Sequence, residues 1–209
     1  MSLDSETFSL LKSSVQRFIQ QRLVPLENHV EEHEEVPDDI VNAMKEIGLF
    51  GLSIPEEYGG IGLSMAQECE VAYELGQTAL AFRSVAGTNI GIGSQGILMD
   101  GIPEQKAQYL PKIASGELII SFALTEPDAG SDAASLKTRG VKNRNDYLLS
   151  GGKRCITNAP RAGAFTLLAR ADGRARAASP PLSCRPICRV SHWASLTKKW
   201  ASAVPRPVP

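Results

Sequence analysis

Two short runs in this chain combine residue types suited to holding a polar ligand. The first, Thr125-Glu126-Pro127-Asp128-Ala129-Gly130-Ser131-Asp132, follows an apolar run from Ile119 to Leu124. Pro, Asp, Gly and Ser favour turns and leave backbone N–H groups exposed. A strand ending in such a loop presents hydroxyls and amides from a rigid support, a common way to build a ligand site. Taken alone, these letters are more often an ordinary surface turn after a strand. The second run, Gly152-Lys153-Arg154-Cys155-Ile156-Thr157-Asn158, reads as another strand with a hydroxyl at its end. If the two strands are antiparallel neighbours, Thr125 and Thr157 meet at one end of a sheet. Paired threonines and clustered amides there would suit a planar polar heterocycle and a phosphate chain. The acids Glu126 and Asp128 argue that backbone amides, not side chains, would meet the phosphates.

Other patterns carry less chemistry. Gly91-Ile92-Gly93-Ser94-Gln95-Gly96 matches G-x-G-x-x-G, but the dinucleotide reading needs a strand before it and a helix after it. Residues 79–90 read as mostly helix, so these small residues are expected to let helix backbones, or a ligand chain, come close. Cys184, Cys188 and His192 have zinc-like spacing, yet supply three ligands where structural zinc takes four. His29 and His33 sit among five glutamates and read as a solvated helix face. Neither group is assigned a metal, and no catalytic residue is assigned. Cys69 reads as a small core residue.

The elements that must position the two runs are legible from periodicity. Asp4 or Ser5 can cap a helix to about Gln21, with Phe8, Leu11, Val15, Phe18 and Ile19 as its apolar stripe. A charged helix from Leu26 to Glu35 follows. Pro37 opens a third, carrying Ile40, Val41, Met44 and Ile47 and ending at Gly48. The Gly-rich apolar stretch Leu49–Ser64 must pack against something. Ser64 and Gln67 form a capping box for a helix through Gly76, and Pro103 starts a last helix to Ala114. Thr78 or Ala79 begins the helix between them. After Gly116 the period changes to short strands: 119–124, 136–141, 147–150, 154–157 and 164–169. Hairpin turns are expected at Asn143–Asp146 and Gly151-Gly152. Helices first and consecutive strands afterwards make the class α+β.

Composition narrows the function classes. The net charge of −1 gives no general pull toward nucleic acid or anionic membrane. No apolar run approaches the ~20 residues of a membrane span. The first residues lack the character of a signal peptide, and four cysteines suggest no disulfide framework, so a cytoplasmic location is expected.

The motifs resemble a known family. Thr125–Asp132, followed at a suitable distance by Lys153–Asn158, is similar to the flavin-contacting segments of acyl-CoA dehydrogenases. Ile54–Leu63 looks like that family's inter-helix loop, and Glu104–Pro111 like its helix before the β-domain. The resemblance covers about residues 5–170. It implies an N-terminal helical domain (1–117), the start of an antiparallel β-barrel-like domain (118–170) and, in relatives, a C-terminal helical domain and a homotetramer. It also implies FAD as cofactor, an acyl-CoA thioester as substrate and an electron-transfer flavoprotein as electron acceptor. By resemblance, Phe122, Ala123, Leu124, Thr125, Gly130 and Ser131 line the flavin, with Thr125 near the pyrimidine side of its ring. Ser131 lies where FAD and the CoA arm meet, Thr157 faces the flavin N5 region, and Ile156 packs beside the ring. Cys155 stands where the family usually has Trp or Phe and offers less area to cover the ring. Ser84 to Gly96 would border the acyl pocket.

The last stretch, 171–209, departs from this pattern. Residues 1–170 hold 15 basic and 22 acidic residues, whereas 171–209 hold 7 basic residues and one acid, Asp172. Both tryptophans and six of the thirteen prolines fall there. A reading-frame shift near residue 171 in a GC-rich gene would produce this composition; a natural, basic, disordered tail is the alternative. The family's glutamate base lies in its C-terminal helical domain, which the 209 residues do not reach. They are therefore expected to be inactive alone. A non-catalytic binding fragment and a degenerate gene product are the competing readings.

Overall fold

The computed structural model describes residues 3–143 and 146–171. Its helical part comprises α1 (Ser5–Phe18), α2 (Glu27–His33), α3 (Asp38–Glu46), α4 (Met65–Leu75), α5 (Leu80–Thr88), α6 (Ser94–Asp100) and α7 (Pro103–Ala114). The Asp4 carboxylate caps α1 by accepting from the Glu6 and Thr7 amides, both at 3.0 Å. The reciprocal Ser64–Gln67 box opens α4, and Gly48 supplies the left-handed turn after α3 at φ 80°. Two π-helical segments, Ile19–Leu23 and Asn89–Gly93, interrupt otherwise continuous helix. The second splits α5 from α6, so one helix expected from periodicity is two.

The apolar stripes meet in one core: Val15, Ile19 and Leu23 pack with Ile40, Met44, Phe50, Val71 and Phe82, all at most 2% exposed. The Gly-rich stretch after α3 is packed as expected, with Leu49, Phe50, Leu52 and Ile54 buried. Its backbone folds onto itself, Ile61 N–H donating to Gly51 C=O and Leu63 N–H to Leu52 C=O at 2.8 Å each. Cys69, expected in the core, is exposed. The buried face of α4 is set by Val71, Glu74 and Leu75, and residue 69 lies about 200° around the helix from Val71.

Five short strands follow: β1 (Ile120–Ala123), β2 (Arg139–Asn143), β3 (Asp146–Ser150), β4 (Ala164–Leu167) and β5 (Arg170–Ala171). β2 and β3 form an antiparallel hairpin in register Val141↔Leu148, and β5 joins β2 in parallel. β1 pairs with β4, in parallel, with Ile120 opposite Ala164. The expected strand at 154–157 is absent: Cys155 has φ 55°, a left-handed conformation no pleated strand accommodates, and Lys153 turns inward. The antiparallel pairing expected between that segment and β1 is absent with it. A second apolar cluster, in which Ile97, Leu110 and Ile113 meet Ile120 and Ala164, fastens the β1–β4 pair to α6 and α7. No helix among the described residues is long and apolar enough to cross a membrane. Cys184, Cys188, His192 and the change of composition after 171 lie outside the described residues.

Candidate functional site

The end of β1 and the segment 153–158 do come together, by contacts other than a ladder. Arg154 N–H donates to Thr125 C=O at 2.8 Å, and the Ser121 hydroxyl donates to Thr157 C=O at 2.7 Å. Ala123 and Ile156 face inward, packing with Ala159 and Phe165 beneath the junction. Phe122, Leu124 and Thr125 are half-buried, while Gly130, Ser131, Cys155 and Thr157 are exposed. The surface offered to a ligand therefore comes from Thr125, Gly130, Ser131, Cys155 and Thr157, on a floor made by Ala123 and Ile156. At Gly130 an added Cβ would meet only Thr125 Cγ2 within 4 Å, at 3.8 Å, so the backbone there is open to close approach.

Beneath the loop lies a buried ion pair that the sequence reading missed. Lys153 Nζ donates to Glu126 Oε1 at 2.9 Å and to Leu124 C=O at 2.8 Å. The same carboxylate accepts the Lys137 amide at 2.6 Å and the Thr138 amide at 3.0 Å. Burial pushes the Glu126 carboxyl up, but its bonds from Thr138, Lys153 and Lys137 outweigh burial and bring it down to about 2. The signal in sequence was an acid within one candidate run and a lysine within the other. Nothing local indicated that both point inward.

A hinge of side-chain bonds ties this junction to the helices. Asn158, left-handed at φ 61°, donates through Nδ2 to the Ser84 and Val85 carbonyls at 2.9 and 3.2 Å. Within the π segment, Asn89 Nδ2 donates to Ile113 C=O at 3.1 Å, and Asn89 Oδ1 accepts the Ile120 amide at 2.7 Å. The Thr166 hydroxyl donates to Gly93 C=O at 2.6 Å. Beside these residues, between α4 and α5, opens a cavity of about 290 Å³ lined by Leu52, Glu68, Ala72, Arg83, Gly87 and Ile92 among others. Burial pushes the Glu68 carboxyl above the usual range, against a Ser53 bond and the Arg83 charge. G-x-G-x-x-G is thus helical throughout, forming part of the cavity wall and a close helix–strand contact. His29 and His33 stack with ring centroids 4.1 Å apart, and His33 Nδ1 lies 2.9 Å from the His29 carbonyl oxygen.

A helical block whose fifth helix is bonded through Asn158 to a loop segment lying at the end of a strand has close counterparts. The model of the acyl-CoA dehydrogenase N-terminal domain matches residues 5–117, more than half of the chain. This chain belongs to the acyl-CoA dehydrogenase family. The family's middle-domain model matches residues 121–183, extending past Arg170. The chain is 41% identical over 168 residues to (2S)-methylsuccinyl-CoA dehydrogenase of Cereibacter sphaeroides, covering 80% of this chain and 30% of that protein. Acyl-CoA dehydrogenase of Bacillus anthracis, solved in complex with FAD, aligns with a TM-score of 0.74 at 36% identity, over 82% of this chain and 30% of that one. Glutaryl-CoA dehydrogenase of Mycobacterium smegmatis aligns with a TM-score of 0.75 at 33% identity, over 81% and 44%. The chain thus spans less than half the length of these acyl-CoA dehydrogenases.

Proposed function

We propose that this chain forms the flavin-facing and acyl-facing wall of an FAD-dependent acyl-CoA dehydrogenase, which oxidises the α,β carbons of an acyl-CoA thioester. The observation that carries this reading is the junction at Thr125 and Arg154, which brings exposed Ser131, Cys155 and Thr157 to the end of one buried strand. These residues fit a flavin. Gly130 leaves room for close approach, and the acidic side chains of the loop are committed elsewhere, Glu126 to Lys153 and Asp128 to Lys137. FAD, when bound, supplies the acceptor for the β-hydrogen as hydride. The chain's own part is to orient: Thr125 and Thr157 offer hydroxyls and amides at the ring, and Ser131 bonds where the CoA arm enters. Ala123 and Ile156 supply the rigid floor that keeps those groups in place.

The α-proton needs a base, and none of the described carboxylates beside the junction is available. Glu126 is buried and ion-paired, Asp128 pairs with Lys137 at 2.6 Å, and Asp132 accepts from the Ser135 hydroxyl. By this reading the base comes from outside the described residues, electrons pass to an electron-transfer flavoprotein, and the whole protein is a homotetramer. Titrating the purified 209-residue chain with FAD tests the proposal. Quenching of flavin fluorescence with a saturable end point is expected, without acyl-CoA-dependent dye reduction. No saturable binding would overturn the flavin assignment, and steady dye turnover would overturn the placement of the base.

The cavity suggests the acyl class. Arg83 is the one guanidinium on its wall, and it makes no salt bridge among the described residues. The Cereibacter and Mycobacterium relatives are named for thioesters, methylsuccinyl-CoA and glutaryl-CoA, whose acyl groups keep a second carboxylate. We infer that the preferred acyl group ends in a carboxylate held by Arg83. Arg83→Met is then expected to weaken binding of glutaryl-CoA to the FAD-loaded chain about 10-fold while leaving butyryl-CoA within about 2-fold, as loss of one charge-assisted bond requires. Equal losses for both thioesters, read by calorimetry, would refute the assignment.

A further inference from the structure

Glu126 and Lys153 lie 27 residues apart in sequence, and their side chains are 4% and 3% exposed. Burying such a pair costs both partners their hydration, and apolar residues of similar size often stabilise as well or better. What this pair does more than an apolar contact is fix geometry, because its bonds are directional and reach three pieces of chain at once. Glu126 holds the Lys137 and Thr138 amides, closing the far end of the loop. Lys153 holds the Leu124 carbonyl at the end of β1, and the next amide, Arg154 N–H, bonds to Thr125 C=O. Neither buried side chain is placed to touch a ligand resting on the exposed residues above.

We propose that the Glu126–Lys153 pair is a positioning device that sets the spacing between the loop Thr125–Ser131 and the segment Cys155–Thr157, and thereby sets flavin affinity without contacting the flavin. The inference rests on the FAD reading given above. The charged groups facing Glu126 are Lys153, from the downstream segment, and Lys137, whose ammonium is engaged by Asp128 in an exposed pair. Removing Lys153 leaves Glu126 desolvated with its principal counter-charge gone, so its carboxyl titrates at higher pH. A carboxylate held low contributes order above its unfolded value of 4.5 and loses it as pH falls toward 2. Without Lys153, burial drives the carboxyl up instead, so the order missing at neutral pH is partly restored as the stranded carboxylate takes up a proton on acidification.

The test compares wild-type chain, Lys153→Met and the double variant Glu126→Gln/Lys153→Met. Each is read by FAD titration from pH 8 to pH 4, by urea unfolding of the helices, and by amide exchange at Lys137, Thr138 and Arg154 in the flavin-free chain. For Lys153→Met we expect an FAD dissociation constant raised about 30-fold at pH 7, a penalty that shrinks as pH falls from 6 to 4 and the stranded carboxylate is neutralised, a trend wild type lacks. The double variant strands no charge, so its helical unfolding should match wild type, yet its FAD affinity should fall about 10-fold because the directional bonds are gone. Faster exchange at Thr138 and Arg154 should accompany both. Wild-type affinity in the double variant, or Lys153→Met with affinity within threefold of wild type and an unshifted pH profile, overturns the proposal. If Lys153→Met fails to fold, the double variant decides alone. Failure of the wild-type chain to bind FAD would instead overturn the flavin reading, and unchanged exchange at Thr138 and Arg154 in the variants would then overturn the positioning role as well.

Discussion

Gly93→Ala is expected to lower the unfolding free energy by about 3 kcal/mol, the upper part of the range for forcing extra atoms into a packed site. Gly91→Ala, two residues earlier in the same motif, is expected to be neutral or to stabilise by up to about 1 kcal/mol, because alanine restricts the unfolded chain and favours helix. The contrast comes from what surrounds each glycine. A Cβ at Gly93 would lie 2.7 Å from Thr88 C=O and 2.9 Å from both the carbonyl oxygen and Cγ2 of Ile120. Two of those atoms are backbone, and the Thr166 hydroxyl holds the Gly93 carbonyl from the other strand, so the helix cannot simply move away. A Cβ at Gly91 would meet nothing within 4 Å. Urea denaturation followed by circular dichroism measures both. Similar behaviour of the two variants would show that the close approach of the π segment to β1 is not what requires glycine at 93.

Asn89→Ala is expected to cost about 2 kcal/mol, since it leaves the buried Ile120 amide without a partner and removes one bond to the Ile113 carbonyl, which Gly116 N–H also serves at 3.0 Å. The side chain is fully buried, and it serves the Ile113 carbonyl at the end of α7 and the Ile120 amide at the start of β1. No single hydrophobic side chain of that size can serve both, so Asn89→Leu should fare no better than alanine. Asn89→Asp keeps an acceptor for Ile120 N–H but turns an oxygen toward Ile113 C=O, and it should also destabilise. The effect reaches the site: β1 carries Phe122 and delivers Thr125 through Ser131, so loosening its first residue loosens the loop. Amide exchange at Ile120 should rise along with the loss in unfolding free energy. Protection at Ile120 retained in Asn89→Ala would mean that strand pairing with β4, not Asn89, holds β1 in place.

Local signals were legible wherever the physics is local. The Asp4 cap, the Ser64–Gln67 box, the proline opening α7 and the left-handed Gly48 each depend on a few neighbouring residues, and each stands where its letters placed it. The apolar periods of α1 and α3 pointed to core residues such as Val15 and Met44 for the same reason. The period-two reading failed at 154–157. Its alternating letters suit a strand, but Lys153 is drawn under the loop by Glu126, and the chain recovers its direction only through left-handed Cys155 and Asn158. That cause lies 27 residues away, beyond any local window.

The sequence by itself determined the helical block, the change of period after Gly116 and the two runs that make the candidate site, because caps, turns and amphipathic stripes are short-range properties of residue type. Only the tertiary structure decided how the runs meet: β1 pairs with β4, Asn89 and Asn158 tie the helices to the strand ends, and Glu126 and Lys153 join the two segments in the interior. Those choices depend on which distant polar groups must be satisfied once water is excluded, and one-dimensional order does not record which donor will find which acceptor.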